Sequence, residues 1–330
     1  MVTFGRSVLV FLYFIGLFGA NAQSIIKQSE ELGQVRWYRD YDKALAIAKK
    51  EQKDVLILFQ EVPGCATCRN YGQNVLSNPL MVEGIENLFV PLAIFNNKGG
   101  KDKVILDKYN EPSWNNPVVR IVNYKGKDVV KRISSDYSAK TLHKRMLEAL
   151  ASYGTKVPDY FKLLGQELGA NGKTQEQYFK MYCFWTGEKQ LGKLDGVLNT
   201  ESGFMNGEVV KVTYNPSVLD KKDLESYAKS NSFRPVDPTG NYRPANSDIH
   251  YYLRHTDYRY VPLTTLQQTK INSAIGSGKT GDEYLSPKQK KWFVAIIKGR
   301  VKKHKNLLNV TFKDAWSYMQ KQSQITLRSN

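Results

Sequence analysis

The sequence predicts two domains, an α/β domain followed by an α+β domain, and three observations lead there. The chain has 330 residues, enough for two cores of ordinary size. In its first half a helical repeat from Tyr41 to Lys50 precedes the continuous apolar run DVLILF (54–59), the mark of a buried strand. In its second half YFKMYCFWTGE and the alternating GEVVKVTYNP read as strands set among helical stretches.

The first element belongs to neither domain. Residues 1–22 combine a positive start at Arg6, an apolar run from Ser7 to Ala20 and the small-x-small step Ala20-Asn21-Ala22. That is the pattern of a secretory signal peptide. About 13 apolar residues fall short of the roughly 20 that a membrane-spanning helix needs. Cleavage after Ala22, no stable membrane insertion and a periplasmic or secreted protein are therefore expected. The formal charge of +17 would fall to +16, because only Arg6 is lost. The lysine pairs (Lys49–Lys50, Lys221–Lys222, Lys290–Lys291, Lys302–Lys303) are scattered with acids between them. They read as solvated basic faces, and no nucleic-acid partner is expected.

The 3 cysteines are an odd number for an exported chain and too few for a disulfide framework. Cys65 and Cys68 form a CxxC five residues beyond the 54–59 strand, and RNYGQNVL after it reads as helix. Cys65 then stands at a helix start, where free amides and the dipole favour a thiolate. NLFVPLAIFN reads as a second strand, NPVVRIVNYKGKDVVKRI as a hairpin turning at Lys125-Gly126-Lys127, and Ser138–Tyr153 as a helix. Helix, strand, CxxC helix, strand, hairpin and helix in this order resemble the thioredoxin-like proteins over about residues 34–152. The resemblance assigns Pro117, in Asn116-Pro117, to the cis-proline that faces the CxxC in that family. Val62-Pro63-Gly64 before Cys65 and Ala66-Thr67 after it depart from the commoner pattern and resemble a Val-Pro-Gly-Cys subgroup. These departures leave the direction of the redox reaction open. A zinc site would need two more ligands, and His143, His250, His255 and His304 pair with no second CxxC, so no metal is expected. A static structural disulfide is the other alternative.

Cys183 is the thiol left over. Cys183-Phe184-Trp185-x-x-Glu188, then Gly203-Phe204-x-x-Gly207, then Glu208-Val209-Val210-Lys211-Val212-x-Tyr214-Asn215-Pro216-Ser217 resemble the A-type peptide methionine-(S)-sulfoxide reductases. With Asp237-Pro238 and Asp248 the match covers about residues 176–262. It implies a ferredoxin-like α+β sandwich with Cys183 as nucleophile and Glu208 as proton donor. Phe184 and Trp185 would form the pocket for the substrate methyl, with Asp248 and Tyr252 as further substrate-binding groups. The residue types suit the chemistry: a thiolate attacks sulfur while an acid protonates the departing oxygen. The family's longer segment before the glutamate, with one of its two oxygen-binding tyrosines, is missing. The second tyrosine falls on Leu253, with Tyr251 and Tyr252 adjacent. The plain alternative for Cys183 is a small buried hydrophobe.

One turnover would leave Cys183 as a sulfenic acid, and no cysteine follows it. The CxxC half is therefore expected to be its internal electron donor, itself reduced by an external thiol donor. The sequence reads as signal peptide 1–22, thioredoxin-like domain 23–153, linker 154–175, reductase-like domain 176–297 and basic helical tail 298–330. Within the linker VPDYFKLLGQEL reads as a short helix and GANGKTQEQ as a loop. A flexible stretch of about 25 residues would span roughly 25–30 Å, and a helix over 157–168 changes that reach. The expected partners are methionine sulfoxide-containing proteins or peptides, and no cofactor is expected. Two other readings stay open: a general thiol-disulfide oxidoreductase with an inactive recognition module, and a non-catalytic binding protein. GSGKT at 276–280 lacks the strand and first glycine of a phosphate loop. His250 and His255 read as surface or pocket residues.

Overall fold

The computed structural model describes residues 28–152, 154–170, 172–303 and 305–328. The expected signal peptide lies outside them. No described helix is long and apolar enough to cross a membrane.

The first half runs α1 (Tyr41–Glu51), β1 (Val55–Gln60), α2 (Ala66–Asn74), α3 (Pro79–Leu88), β2 (Val90–Phe95), α4 (Lys101–Lys108), β3 (Val118–Val122) and α5 (Ala139–Ser152). Its sheet has the order β2-β1-β3, with β1 parallel to β2 and antiparallel to β3. β1 is buried along its whole length because helices cover both faces. Alternation sends Val55, Ile57 and Phe59 to the α1 side and Leu56 and Leu58 to the α2–α5 side. The hairpin after Pro117 forms, but its second arm is reduced to two isolated bridges, Val122 with Asp128 and Val119 with Ile133. α3 went unread in the sequence, although Asn78 caps it and Pro79 opens it.

The second half runs α6 (Asp159–Ala170), β4 (Gln175–Lys180), α7 (Phe184–Leu191), β5 (Val197–Phe204), β6 (Glu208–Tyr214), α8 (Lys221–Ser230), β7 (Arg234–Val236), β8 (Arg243–Pro244), α9 (Tyr251–Arg254), α10 (Thr265–Gly276), α11 (Pro287–Ile297) and α12 (Phe312–Arg328). Its sheet is antiparallel in the order β7-β4-β6-β5-β8. The run β4-α7-β5-β6-α8-β7, with β4 and β6 central, is the split βαβ arrangement of a ferredoxin-like sandwich.

The connections are packed. Residues 154–175 are mostly the helix α6, so the short helix read within the linker forms, and no free tether stands among the described residues. Tyr160, Phe161, Leu163 and Leu164 are buried there, with Phe161 lying over Gly84 of α3. Nor does the 298–330 segment stand off as a tail, since Val301, Leu307, Leu308, Trp316 and Met319 are buried. One apolar cluster runs from Leu56, Met81 and Phe161 through Leu253 and Ile271 to Trp292 and Trp316. The backbone N–H of Lys288 also donates to Glu83 Oε2 at 2.8 Å. The halves share a core because α3 and α6 pack on each other and on elements of both halves.

Candidate active sites

In the first half, the strand β1 ends at Gln60 and α2 begins after Cys65, its N-cap residue. Cys65 is exposed and Cys68 buried, with their sulfurs 3.8 Å apart. Gly64 N–H donates to Glu31 Oε1 at 2.7 Å and Gly64 O accepts from Arg69, which fixes the turn into the helix. The Asn116–Pro117 peptide bond is cis, and the Cys68 thiol donates to Asn116 Oδ1 at 2.7 Å. Backbone and side-chain hydrogen bonds from Cys68 hold the Cys65 thiol below its ordinary range. Burial, with the neighbouring Cys65, pushes Cys68 up to about 12. The pair is thus split into an accessible nucleophile and a protected partner. Glu61, Cys65 and Cys68 place one donor atom each within 4.8 Å of one another, one fewer than a structural tetrahedral zinc site uses. Asn116 was missed in the sequence, where only its proline drew attention.

In the second half, β4 delivers Cys183 to the N-cap of α7, half-buried. Glu208 heads β6, and its Oε2 accepts from the Phe184 N–H at 2.7 Å. The structure therefore brings Glu208 to the residue adjoining Cys183, at the start of α7. Phe184 is 5% exposed and makes an edge contact with Phe204 at 5.5 Å. Trp185 is half-buried and stacks on Tyr251 at 3.9 Å, while its Nε1 donates to Asp248 Oδ1 at 3.1 Å. Asp248 Oδ2 accepts from Ser247 at 2.8 Å, so both oxygens are engaged. The carboxylate sets the indole plane before it can serve a substrate.

Of the two neighbouring tyrosines, Tyr251 is spent on Trp185. Tyr252 lies in the field of Cys183: burial raises its hydroxyl, and the Cys183 charge adds to the effect. Its ring also covers Gly276 of α10. Where the shortened segment would stand, Met205–Gly207 make a tight turn and Tyr242 donates to Glu201 at 2.6 Å.

Two central residues carry more than the sequence indicated. Glu188 is fully buried and accepts from Ser202 N–H at 3.2 Å and His250 N–H at 2.9 Å. Burial raises it well above the ordinary carboxylate range despite those donors. It ties α7 to β5 and to the start of α9, a role its place five residues after Cys183 could have suggested. His250 is 3% exposed, correcting the expectation of a surface or pocket residue, because its left-handed backbone turns the chain inward to Glu188. His255 is exposed. The 276–280 glycine loop follows the end of α10 instead of a strand.

Comparison with known proteins finds a match in each half. Residues 36–123 match the family model described as "Thioredoxin-like", and residues 175–226 match "Peptide methionine sulfoxide reductase". Two curated relatives, each a "Peptide methionine sulfoxide reductase MsrA" from Methanococcus maripaludis strains C5 and C6, are 36% identical over 69 residues. That covers 16% of this chain and 44% of each relative, so the chain spans less than half the length of the curated relatives it matches. Among solved structures, a thioredoxin from Thermus thermophilus is 22% identical, covering 36% of this chain and 90% of that one, with a TM-score of 0.32. A "DsbH Oxidoreductase" is 15% identical, covering 40% and 94%, also with a TM-score of 0.32. The chain carries a thioredoxin-like domain over residues 36–123 and a peptide methionine sulfoxide reductase domain over residues 175–226.

Proposed function

We propose that the chain is a thiol-based methionine sulfoxide reductase whose CxxC half returns Cys183 to the thiol. The observation that carries it is the junction of Cys183, at the start of α7, with Glu208, which is hydrogen-bonded to the next backbone N–H. A sulfoxide sulfur attacked by Cys183 would have its oxygen protonated by Glu208, releasing the thioether and leaving Cys183 as a sulfenic acid. Trp185, held by Asp248 and Tyr251, forms one wall for the substrate methyl, and Tyr252 is the hydroxyl available to the oxygen. Cys65 then condenses with the sulfenic acid, releasing water. Cys68 displaces Cys183 from that mixed disulfide, and an external dithiol reduces the resulting Cys65–Cys68 disulfide.

With α6 packed, no free tether carries one site to the other. Cys65 is exposed, and Cys183 is half-buried beside the fully exposed Tyr182. Substrates are methionine sulfoxide residues of proteins or peptides. The signal-like residues 1–22 support action in the envelope or outside the cell.

A single-turnover mass measurement tests the relay. Fully reduced protein is mixed with one equivalent of methionine-S-sulfoxide peptide and no other reductant. The relay predicts reduced peptide and a protein about 2 Da lighter, with Cys65 linked to Cys68. A protein about 16 Da heavier at Cys183, with both CxxC thiols free, would show that the halves do not exchange electrons.

A further inference from the structure

We propose that Lys270 is a positioning residue for the Cys183 thiol, acting with Ser273 through the far end of α7. The inference rests on Cys183 being the reacting group. Lys270 is 5% exposed, on a helix buried along most of its length. Its Nζ donates to Gly192 O at 2.9 Å and Leu194 O at 2.7 Å. Gly192 is the C-cap of α7. One turn further along α10, Ser273 Oγ donates to Lys189 O at 2.5 Å.

The last carbonyls of a helix have no partner of their own, and a cation there opposes the helix dipole. Here a buried ammonium and a hydroxyl supply the donors. The N-terminal end of the same eight-residue helix carries Cys183 and the contact from Phe184 N–H to Glu208. α7 is therefore gripped at both ends. α7 and α10 pack closely at this end, because a Cβ on Gly192 would lie 3.2 Å from Thr269 Cγ2 and 3.3 Å from Thr269 O.

The same helix holds the opposite wall of the site. Asn272 Oδ1 accepts the Leu253 N–H at 3.0 Å, fixing α9 with Tyr251 and Tyr252. Residues 269, 270, 272 and 273 thus set α7 and α9 against each other from beneath. A buried lysine is costly where its protons lack acceptors, and here two of the three are taken by carbonyls at and just beyond the end of α7. Burial lowers Lys270 to about 8, with Asp195 the opposing charge that raises it.

The test compares Lys270→Met, Lys270→Arg and Ser273→Ala in the full chain. With dithiothreitol and a methionine-S-sulfoxide peptide, Lys270→Met is expected to lose about tenfold in kcat with KM unchanged, and Lys270→Arg to recover part of it. The second readout is the iodoacetamide labelling rate of Cys183 relative to Cys65 in the same molecule. That ratio should shift at least about threefold in Lys270→Met while Cys65 labels normally. A folded Lys270→Met with wild-type kcat and labelling ratio would overturn the proposal. Should that variant fail to fold, Ser273→Ala decides, since it drops only the Lys189 contact: a shifted ratio supports the proposal, and an unchanged one overturns it. Absence of peptide turnover in the wild type would sink the functional reading, whereas the labelling ratio would still judge Lys270.

Discussion

Cys65 and Cys68 sit in one turn of chain yet differ in each property that sets thiol reactivity. Exposure and the hydrogen bonds at the start of α2 favour the Cys65 thiolate, and burial disfavours that of Cys68. Iodoacetamide should therefore label Cys65 at neutral pH and leave Cys68 unmodified up to about pH 10, as read by peptide mapping. Equal labelling of the two would contradict the assignment. The sequence carried the residues of this site and of Cys183, Glu208 and Trp185, because each belongs to a short contiguous pattern. It did not show that Asp248 is bound to the indole or that Glu188 accepts from His250. Those pairings join positions 63 and 62 residues apart.

Elements add constraints that no single residue shows. Gly72 in α2 lies against the short turn at Glu30–Leu32, and a Cβ there would stand 1.9 Å from Glu30 O. In an open helix Gly→Ala gains about 1 kcal/mol. Here overpacking against backbone costs about 1–3 kcal/mol. Gly72→Ala should therefore lower the melting temperature, and an increase would show that the turn yields freely. Asp54, leading into β1, is raised to about 6 by burial. A carboxyl raised above its unfolded value of about 3.9 penalises folding once ionised. Stability is then lost as pH climbs from about 4 to 6, and the loss is complete above that window. Asp54→Asn should raise the melting temperature at pH 7.5 and change it little at pH 4; equal effects at both would refute the burial explanation. The sequence concealed α10 for a related reason. Gln267, Thr269, Lys270, Asn272 and Ser273 are buried beside Leu266, Ile271 and Ala274 in a helix covered nearly all round, so no single apolar stripe marks it. By contrast β1 and β6 were legible, since one is wholly apolar and the other alternates.

At the scale of the molecule, the two halves are not beads on a string. The cluster linking Met81, Phe161, Ile271 and Trp292 crosses the boundary that composition suggested. Truncating a buried aromatic of this kind costs about 3–5 kcal/mol. Phe161→Ala should therefore lower the melting of both halves together, followed by fluorescence and by exposure of the CxxC thiols. Independent melting of the halves would show that the shared core is not cooperative. A linker was expected from the mixed polarity of 154–175, and its apolar residues show their purpose only once α3 is there to receive them. The most direct test of the account is turnover of a methionine-S-sulfoxide peptide by the protein with dithiothreitol as sole reductant, beside Cys183→Ser and Glu208→Gln. The account predicts turnover in the wild type, none in Cys183→Ser, and a loss of about 10²-fold or more in Glu208→Gln. A wild-type chain that leaves the sulfoxide intact, with its three thiols reduced, would contradict it.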